Sequence, residues 1–213
     1  QAERQRYTAL GDDLSNRLLR ILTGELLPDA GKIEWQPGVK KGYLQQHVDF
    51  DEHDTIKDFL RCAFASLYEM EQEMERLATD MAAANGGALD KLLHRYGELQ
   101  AQLEDRDFYS LDAKIETVAD GLGLTALGLD TVVEALSGGQ RTKLLLAKLL
   151  LEQPQVLLLD EPTNYLDTAH IEWLKGYLRE YPHAFILVTH DTLFMDEVVN
   201  VIYHLEHRSL PRY

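Results

Sequence analysis

The chain has 213 residues, of which 45% are hydrophobic and 27% are charged, a composition typical of a soluble globular protein with a substantial core. Its formal net charge of -15 argues against a simple basic nucleic-acid-binding surface, and its single cysteine excludes an internal disulfide bond and most zinc sites. Because we find neither a membrane-length apolar run nor a secretory leader, we expect a cytoplasmic protein.

The first part of the chain, residues 1–54, is predicted to form the N-terminal part of an α/β core. We expect a helix from Ser15 to Thr23, followed by short strands near Lys32–Trp35 and Gly42–Gln45. Pro37-Gly38 is a turn signal between the two strands.

Residues 55–107 have the pattern of a helical hairpin. Apolar residues recur at steps of three and four, at Leu60, Phe64, Leu67, Met70, Met74, Leu77 and Met81 and then at Leu89, Leu92, Tyr96, Leu99 and Leu103. Asn85-Gly86-Gly87 separates the two series. Because the apolar stripe is narrow and charges fill the remaining positions, we expect an arm that projects from the body. The alternative is a plain two-helix element of the core.

Residues 108–213 alternate between strand and helix patterns. The expected strands are Val156–Asp160, Ala184–Thr189 and Val201–Leu205. The expected helices cover Leu111–Gly121, the segment between Ser137 and Pro154, Ala169–Tyr181 and Leu193–Val198. Apolar strands that alternate with helices predict an α/β fold in which helices flank a parallel sheet.

The segment Ser137-Gly138-Gly139-Gln140 marks the start of one of these helices. Ser137 and Gln140 have the spacing of a capping box. Gly138 and Gly139 leave the backbone amides of the first turn accessible at the positive end of the helix, which suits an anion such as phosphate. Taken alone, this start is also compatible with a purely structural role.

Two adjacent carboxylates, Asp160 and Glu161, end the apolar strand Val156–Asp160. Ligands of open parallel sheets bind at the carboxyl ends of the strands. Asp160 suits Mg²⁺ held through water, and Glu161 suits a general base that orients an attacking water. The next strand leads to His190 at the same edge, where the imidazole can donate a hydrogen bond to a terminal phosphate oxygen.

Three motifs, in order, resemble those of ABC ATPases. "LSGGQ" resembles the signature, "LLLDEPTNYLD" resembles Walker B with the D-loop, and "VTHD" resembles the switch-histidine motif. The details are similar to ABC-F proteins, whose Walker B region reads Asp-Glu-Pro-Thr-Asn-x-Leu-Asp and which insert an arm where the hairpin lies here. The resemblance extends from Leu18 to Tyr213 and corresponds to a first ABC domain with an arm insertion.

This resemblance implies an ATPase that uses ATP and Mg²⁺. Glu161, His190 and Gln46 would be catalytic, and Asp160 and Gln46 would lie near the metal. Gln46 is identified as the Q-loop glutamine by its similarity to the family segment that follows the phosphate-binding loop.

The resemblance also implies a second ABC domain, either in the same chain or in a homodimer mate. Residues 137–140 would bind the nucleotide of that partner domain, and Asp167 would cross the interface. ABC-F proteins act on the ribosome at the tRNA exit site, in translation or in antibiotic resistance. We therefore expect a ribosomal partner and no membrane partner. Lys91, His94 and Arg95 near the hairpin turn are candidate RNA contacts.

The segment Gly11–Arg17 departs from the family pattern. It stands where the family has a phosphate-binding loop with glycines, a lysine and Ser/Thr, but it contains Asp12 and Asp13 and no lysine. Residues are missing before Leu18, or the site is degenerate, or the chain is truncated. We favour missing residues because the downstream catalytic motifs are all present.

Two other functions share these motifs. One is the nucleotide-binding subunit of a membrane transporter, which would have a compact helical subdomain in place of a long charged hairpin. The other is a scaffold whose own site does not hydrolyse ATP, as the lack of a phosphate-loop lysine would suggest.

Overall fold

The computed structural model describes residues 12–44 and 53–203, with the side chains of residues 12–16 left undescribed. Within these ranges, strands β1 (Lys41–Tyr43), β2 (Val156–Asp160) and β3 (Ala184–Val188) form one parallel sheet in the order β1-β2-β3. In its centre, Leu157 pairs with residue 42 on one side and residue 185 on the other. The predicted parallel sheet is confirmed.

The helices have the following bounds: α1 Asp12–Thr23, α2 Ile56–Arg61, α3 Ala65–Met81, α4 Gly87–Asp105, α5 Leu111–Gly121, α6 Gly138–Glu152, α7 Thr168–Arg179 and α8 Thr192–Val198. No helix in the described part of the chain is long and apolar enough to cross a membrane.

The central strand β2 is buried on both faces, which explains its continuous apolar sequence. Leu157 and Leu159 belong to the main core with helices α5, α6 and α7, whereas Leu158 packs on the opposite face against Leu19 of α1. Gly42 of β1 lies so close to the C-terminal end of α6 that a β-carbon there would stand 2.5 Å from the side chain of Leu149. The sheet therefore lies between α1 on one face and helices α5, α6 and α7 on the other.

The hairpin consists of α3 and α4, joined by a turn in which Gly86 has a φ of 58°. A separate apolar cluster holds the two helices together, with Leu67 and Met74 on α3 facing Leu99 and Leu103 on α4. The predicted stripe is confirmed along α3 and α4. Leu60, which we had placed in the same stripe, lies instead on α2 in the main core.

A polar cluster fastens the base of the hairpin to the body. Arg61 at the end of α2 donates two hydrogen bonds, of 3.0 and 2.8 Å, from Nη2 to the carboxylate of Asp112 on α5. Its Nε donates a third, of 3.2 Å, and Tyr68 on α3 donates a fourth, also of 3.2 Å, to the same carboxylate. The Arg61 guanidinium holds the pKa of Asp112 below its usual value. Three helices thus share one ion pair.

Two predicted strands are corrected. Lys32–Trp35 forms no strand: the indole of Trp35 donates to the carbonyl of Leu22, and the Lys32 side chain pairs with Glu34 two residues away. Within the described residues, this segment forms no ladder with a neighbouring strand. In the predicted strand Val201–Leu205, only residue 203 forms a β-bridge among residues 201–203, and the remainder lies outside the described residues.

Candidate functional site

The carboxyl ends of β2 and β3 lie side by side. Asp160 pairs with Val188 at the last register position, and the backbone amide of Glu161 donates a 2.9 Å hydrogen bond to the carbonyl of Val188. This bond extends the pairing one residue beyond the strand. It places Glu161 next to the segment that leads to His190, as the sequence predicted.

Glu161 has an unusual backbone conformation for a residue with a side chain. Its φ is 43°, in the left-handed region, which costs a non-glycine residue about 1–3 kcal/mol when the surroundings enforce it. The carbonyl of Glu161 then accepts a hydrogen bond of 3.2 Å from the amide of Asn164, so that a tight turn follows the strand. This conformation aims the carboxylate back toward the end of β3.

The Glu161 carboxylate is largely buried, with 20% of the side chain exposed. Oε2 accepts a 3.3 Å hydrogen bond from the hydroxyl of Thr189, and Oε1 lies 3.7 Å from Nε2 of His190. Oε1 is buried and accepts no hydrogen bond within the described residues. A buried acceptor with an unused lone pair has the chemistry needed to receive a proton from a bound water.

Burial raises the pKa of the Glu161 carboxyl, and the nearby Asp160 adds to this effect, while His190 and Thr189 oppose it. A raised pKa makes the carboxylate a stronger proton acceptor than an ordinary glutamate. Perturbed carboxyls of this kind cluster at functional sites.

Asp160 lies at the same edge, beside the end of β1. The pKa of Tyr43, the last residue of β1, is raised by burial and then by the negative charge of Asp160. The predicted ligand Gln46 follows β1 by three residues and lies outside the described residues. Its place in the chain is compatible with a position near Asp160, and its role stays a prediction.

Asp160 is the candidate ligand for a divalent cation that the described residues offer at this edge. The described residues contain no group of three or more His, Cys, Asp or Glu side chains that could hold a metal ion. Mg²⁺ is commonly bound through one or two carboxylates together with water and substrate phosphates. Asp160 therefore fits a site of that kind.

The start of α6 carries the predicted capping box, while anion binding there stays a prediction. The Ser137 hydroxyl accepts from the amide of Gln140 at 3.4 Å, and the Gln140 side chain accepts from the amide of Ser137 at 2.8 Å. This capping box is confirmed. No atom within 4 Å would obstruct a β-carbon at Gly138, so this side of the first turn is open. The helix end thus presents backbone amides to an approaching anion.

Gly139 faces a different neighbour. A β-carbon there would stand 3.2 Å from the ring of Tyr165, which lies in the turn between β2 and α7. That turn ends at Asp167, whose carboxylate caps α7 by accepting from the amide of His170 at 3.1 Å. This hydrogen bond lowers the pKa of Asp167. The segment 161–167 therefore links the sheet edge to the start of α6.

The structure brings the predicted residues together in two groups. Asp160, Glu161 and His190 share the sheet edge, whereas residues 137–140 and Asp167 lie at the starts of α6 and α7. Sequence reasoning missed Thr189 and His170. Thr189 lies between strand β3 and His190, and His170 lies three residues after the capping Asp167. Their closeness in sequence to predicted site residues was the signal that could have found them.

Residues 17–164 match the family model described as ABC transporter. A solved structure of an "ATP binding subunit of ABC transporter" aligns with a TM-score of 0.66 and 15% identity, over 98% of this chain and 78% of that one. The latter likeness shows the fold, in agreement with the predicted ATPase core.

Three curated relatives extend the comparison. An uncharacterised ABC transporter ATP-binding protein, YfmM of Bacillus subtilis, is 53% identical over 92% of this chain and 38% of its own length. The tylosin resistance ATP-binding protein TlrC of Streptomyces fradiae is 37% identical over 96% and 38%. The energy-dependent translational throttle protein EttA of Haemophilus influenzae is 36% identical over 89% and 34%. The chain thus spans little more than a third of the length of these relatives.

Proposed function

Because the chain belongs to the ABC transporter family and has ABC-F proteins among its relatives, we propose that it is the first ATPase domain of a cytoplasmic ABC-F protein that acts on the ribosome. The observation that carries the ATPase part of this proposal is the Glu161 carboxylate. It is buried, has a raised pKa and lies beside Asp160 and His190.

The three side chains at the sheet edge take distinct roles in this proposal. Glu161 accepts a proton from the attacking water through Oε1, which lacks a hydrogen-bond donor among the described residues. Thr189 holds the other carboxylate oxygen and so fixes the direction of Oε1. His190, with 53% of its side chain exposed, donates to a phosphate oxygen. Mg²⁺, when bound near Asp160 and Gln46, neutralises phosphate charge.

The start of α6 serves the partner's nucleotide. Ser137 and Gln140 hold the capping box, and Gly138 leaves the helix end open to a phosphate from outside the domain. The partner is a second ABC domain in the same protein or in a homodimer mate. Asp167 crosses the interface between the two domains.

We propose that the chain divides into residues 1–54, 55–107 and 108–213, and that the central part is an arm.

The charges on the arm limit its role in RNA binding. Arg95 pairs with Glu73 at 2.8 Å and with Glu98 at 3.6 Å, and His94 lies 3.4 Å from Glu98. Two of the three candidate RNA contacts therefore already face carboxylates of the same hairpin. With a net charge of -15 on the chain, we expect most phosphate contacts to come from other parts of the full protein.

The test is Glu161→Gln in the full-length protein. The amide keeps the size of the side chain but cannot act as the base, so ATP turnover falls by roughly a hundredfold or more. The protein then accumulates in its ATP-bound state and stays longer on ribosomes during sedimentation with ATP. Exposed Glu116 on α5 provides the matched control, because Glu116→Gln changes the same chemical group outside the site.

Other outcomes would favour other functions. Unchanged turnover in Glu161→Gln would contradict the role of this residue as base. Absence of ATP binding by the full-length wild type would favour the non-hydrolysing scaffold. Co-purification with membranes in place of ribosomes would favour a transporter subunit. Protection of ribosomes from a drug, measured by translation in vitro, would separate antibiotic resistance from a general role in translation.

A further inference from the structure

The contacts around Asp167 reach beyond the cap of α7. Nδ1 of His170, in the first turn of α7, lies 2.9 Å from Oδ1 of the N-cap residue Asp167. The His170 side chain is 22% exposed, whereas that of Asp167 is 65% exposed. The largely buried ring thus lies against an exposed carboxylate, and Nδ1, which makes no hydrogen bond within the described residues, is in close polar contact with Oδ1.

The other edge of the imidazole rests on the segment after α5. A β-carbon at Gly123 would stand 2.5 Å from Cε1 and 2.6 Å from Nε2 of His170. The ring is therefore held between Gly123 and Asp167. It connects the capping carboxylate to the helical region that precedes the signature.

Two further contacts tie the same turn to α6. The Tyr165 ring lies against Gly139, as described above. The positive charge of Lys143, one turn further along α6, contributes to lowering the pKa of Asp167. Residues 165–167 are thus in contact with the signature helix at one point and with Gly123, through His170, at another.

We propose that His170 is a positioning residue that holds Asp167 in place for the interface with the partner ABC domain. Together with the Tyr165–Gly139 contact, it makes the turn 165–167 and the start of α6 move as one unit when the domains close. The proposal rests on the proposed function, because it assumes that Asp167 acts across that interface.

The cap alone does not explain the arrangement. The amide of His170 already satisfies the cap by donating to Oδ1, and any residue other than proline at position 170 has this amide. The imidazole adds a second contact that the helix does not require. The atoms nearest to an added β-carbon at Gly123 also belong to this ring.

Two substitutions at position 170 separate the polar contact from the packing. His170→Phe keeps a ring against Gly123 but removes the contact with Asp167. His170→Asn keeps a polar atom near the Nδ1 position but removes most of the packing. In the full-length protein, we expect His170→Phe to lower kcat for ATP about tenfold, with KM within about twofold and the unfolding midpoint unchanged. We expect His170→Asn to recover most of the lost kcat.

A second pair of variants tests the link to Gly123 without removing the histidine. Gly123→Ala and Gly128→Ala both place a side chain at a positive φ, 73° and 82° respectively. The added β-carbon meets His170 only at Gly123, since at Gly128 it lies 3.5 Å from the hydroxyl of Thr131. Gly123→Ala should lower kcat more than Gly128→Ala does, and this excess should vanish in a His170→Ala background.

Each outcome of these experiments supports or contradicts the proposal. If His170→Phe hydrolyses ATP like the wild type, or if His170→Asn loses as much kcat as His170→Phe, the polar contact does not position Asp167. If His170→Phe fails to fold, the comparison of Gly123→Ala with Gly128→Ala still tests the proposal. An extra loss of kcat in Gly123→Ala that persists in the His170→Ala background overturns it. A wild-type protein without ATPase activity would refute the proposed function itself. The comparisons above are made among active proteins, so they test the role of His170 separately.

Discussion

Replacing Glu161 by glutamine should stabilise the protein while it lowers ATP turnover. In the folded state the carboxylate is buried, and its Oε1 receives no hydrogen bond within the described residues. A buried polar group left unsatisfied costs about 1–3 kcal/mol, and the cost is greater when the group is charged. The neutral amide avoids part of this cost. We therefore expect a gain of about 1–2 kcal/mol at neutral pH.

The pH dependence gives this prediction its sign. The folded-state pKa of Glu161 is raised above its ordinary value of 4.5, because burial disfavours the charged form. Below pH 4.5 the carboxyl is protonated in both states and costs no charge burial. As the pH rises through the raised pKa, the stability that the protonated carboxyl contributed is lost. The advantage of Glu161→Gln should therefore be absent near pH 4 and complete near pH 8.

The assay is calorimetry of the full-length protein without nucleotide, following the transition that includes this domain. A gain of 1 kcal/mol shifts the midpoint by roughly 2–4 °C for a domain of this size. Glu116→Gln, at an exposed position on α5, should change the midpoint little at any pH. The reasoning is refuted if Glu161→Gln is no more stable than the wild type at pH 8, or if its advantage is the same at pH 4.

Two further predictions concern the hairpin. Leu99→Ala, at a position with 1% exposure, should destabilise the hairpin by about 2–5 kcal/mol, whereas Leu93→Ala, with 52% exposure on the same helix, should change its stability by less than about 0.5 kcal/mol. Hydrogen exchange of the backbone amides in α3 and α4 distinguishes the two variants. Equal protection in both variants would contradict the separate hairpin core. Because Arg61 lowers the pKa of Asp112, the stability difference between wild type and Asp112→Asn should be largest above pH 4 and should shrink as the pH falls through the lowered pKa. Chemical unfolding between pH 3 and 7 measures this difference. A difference that stays constant over this range would show that the ion pair contributes nothing.

Much of the fold and of the sheet-edge site was predictable because burial leaves a direct trace in sequence. β2 is apolar up to Leu159 and β3 is apolar throughout, since both faces of the sheet are covered, and this fixes where each strand ends. Parallel strands have their carboxyl ends at one edge, so Asp160, Glu161 and His190 had to lie close together. The capping box at Ser137 follows from local spacing alone.

The remaining features depend on contacts between segments that are distant in the chain. Lys32–Trp35 has the alternation of a strand, but Lys32 bonds to Glu34, Trp35 bonds to the carbonyl of Leu22, and no strand in the described part of the chain pairs with the segment. The ring of His170 reaches Gly123, 47 positions earlier, because α7 packs on α5. Neither residue type nor spacing records that packing. The left-handed backbone of Glu161 is hidden for the same reason, since it depends on the bond to Val188 of β3.

These contacts meet in the seven residues from Glu161 to Asp167. One end of this segment is held in a strained conformation by the edge of the sheet, and the other end is held by the cap of α7 and by His170. Between them, Tyr165 rests on the start of α6. A short segment fixed at three points has little freedom to relax at one end without moving the other. In the proposed function, the orientation of the base and the position of the interface loop are therefore mechanically coupled, and a change at Gly123 or His170 should alter turnover at Glu161 without touching it.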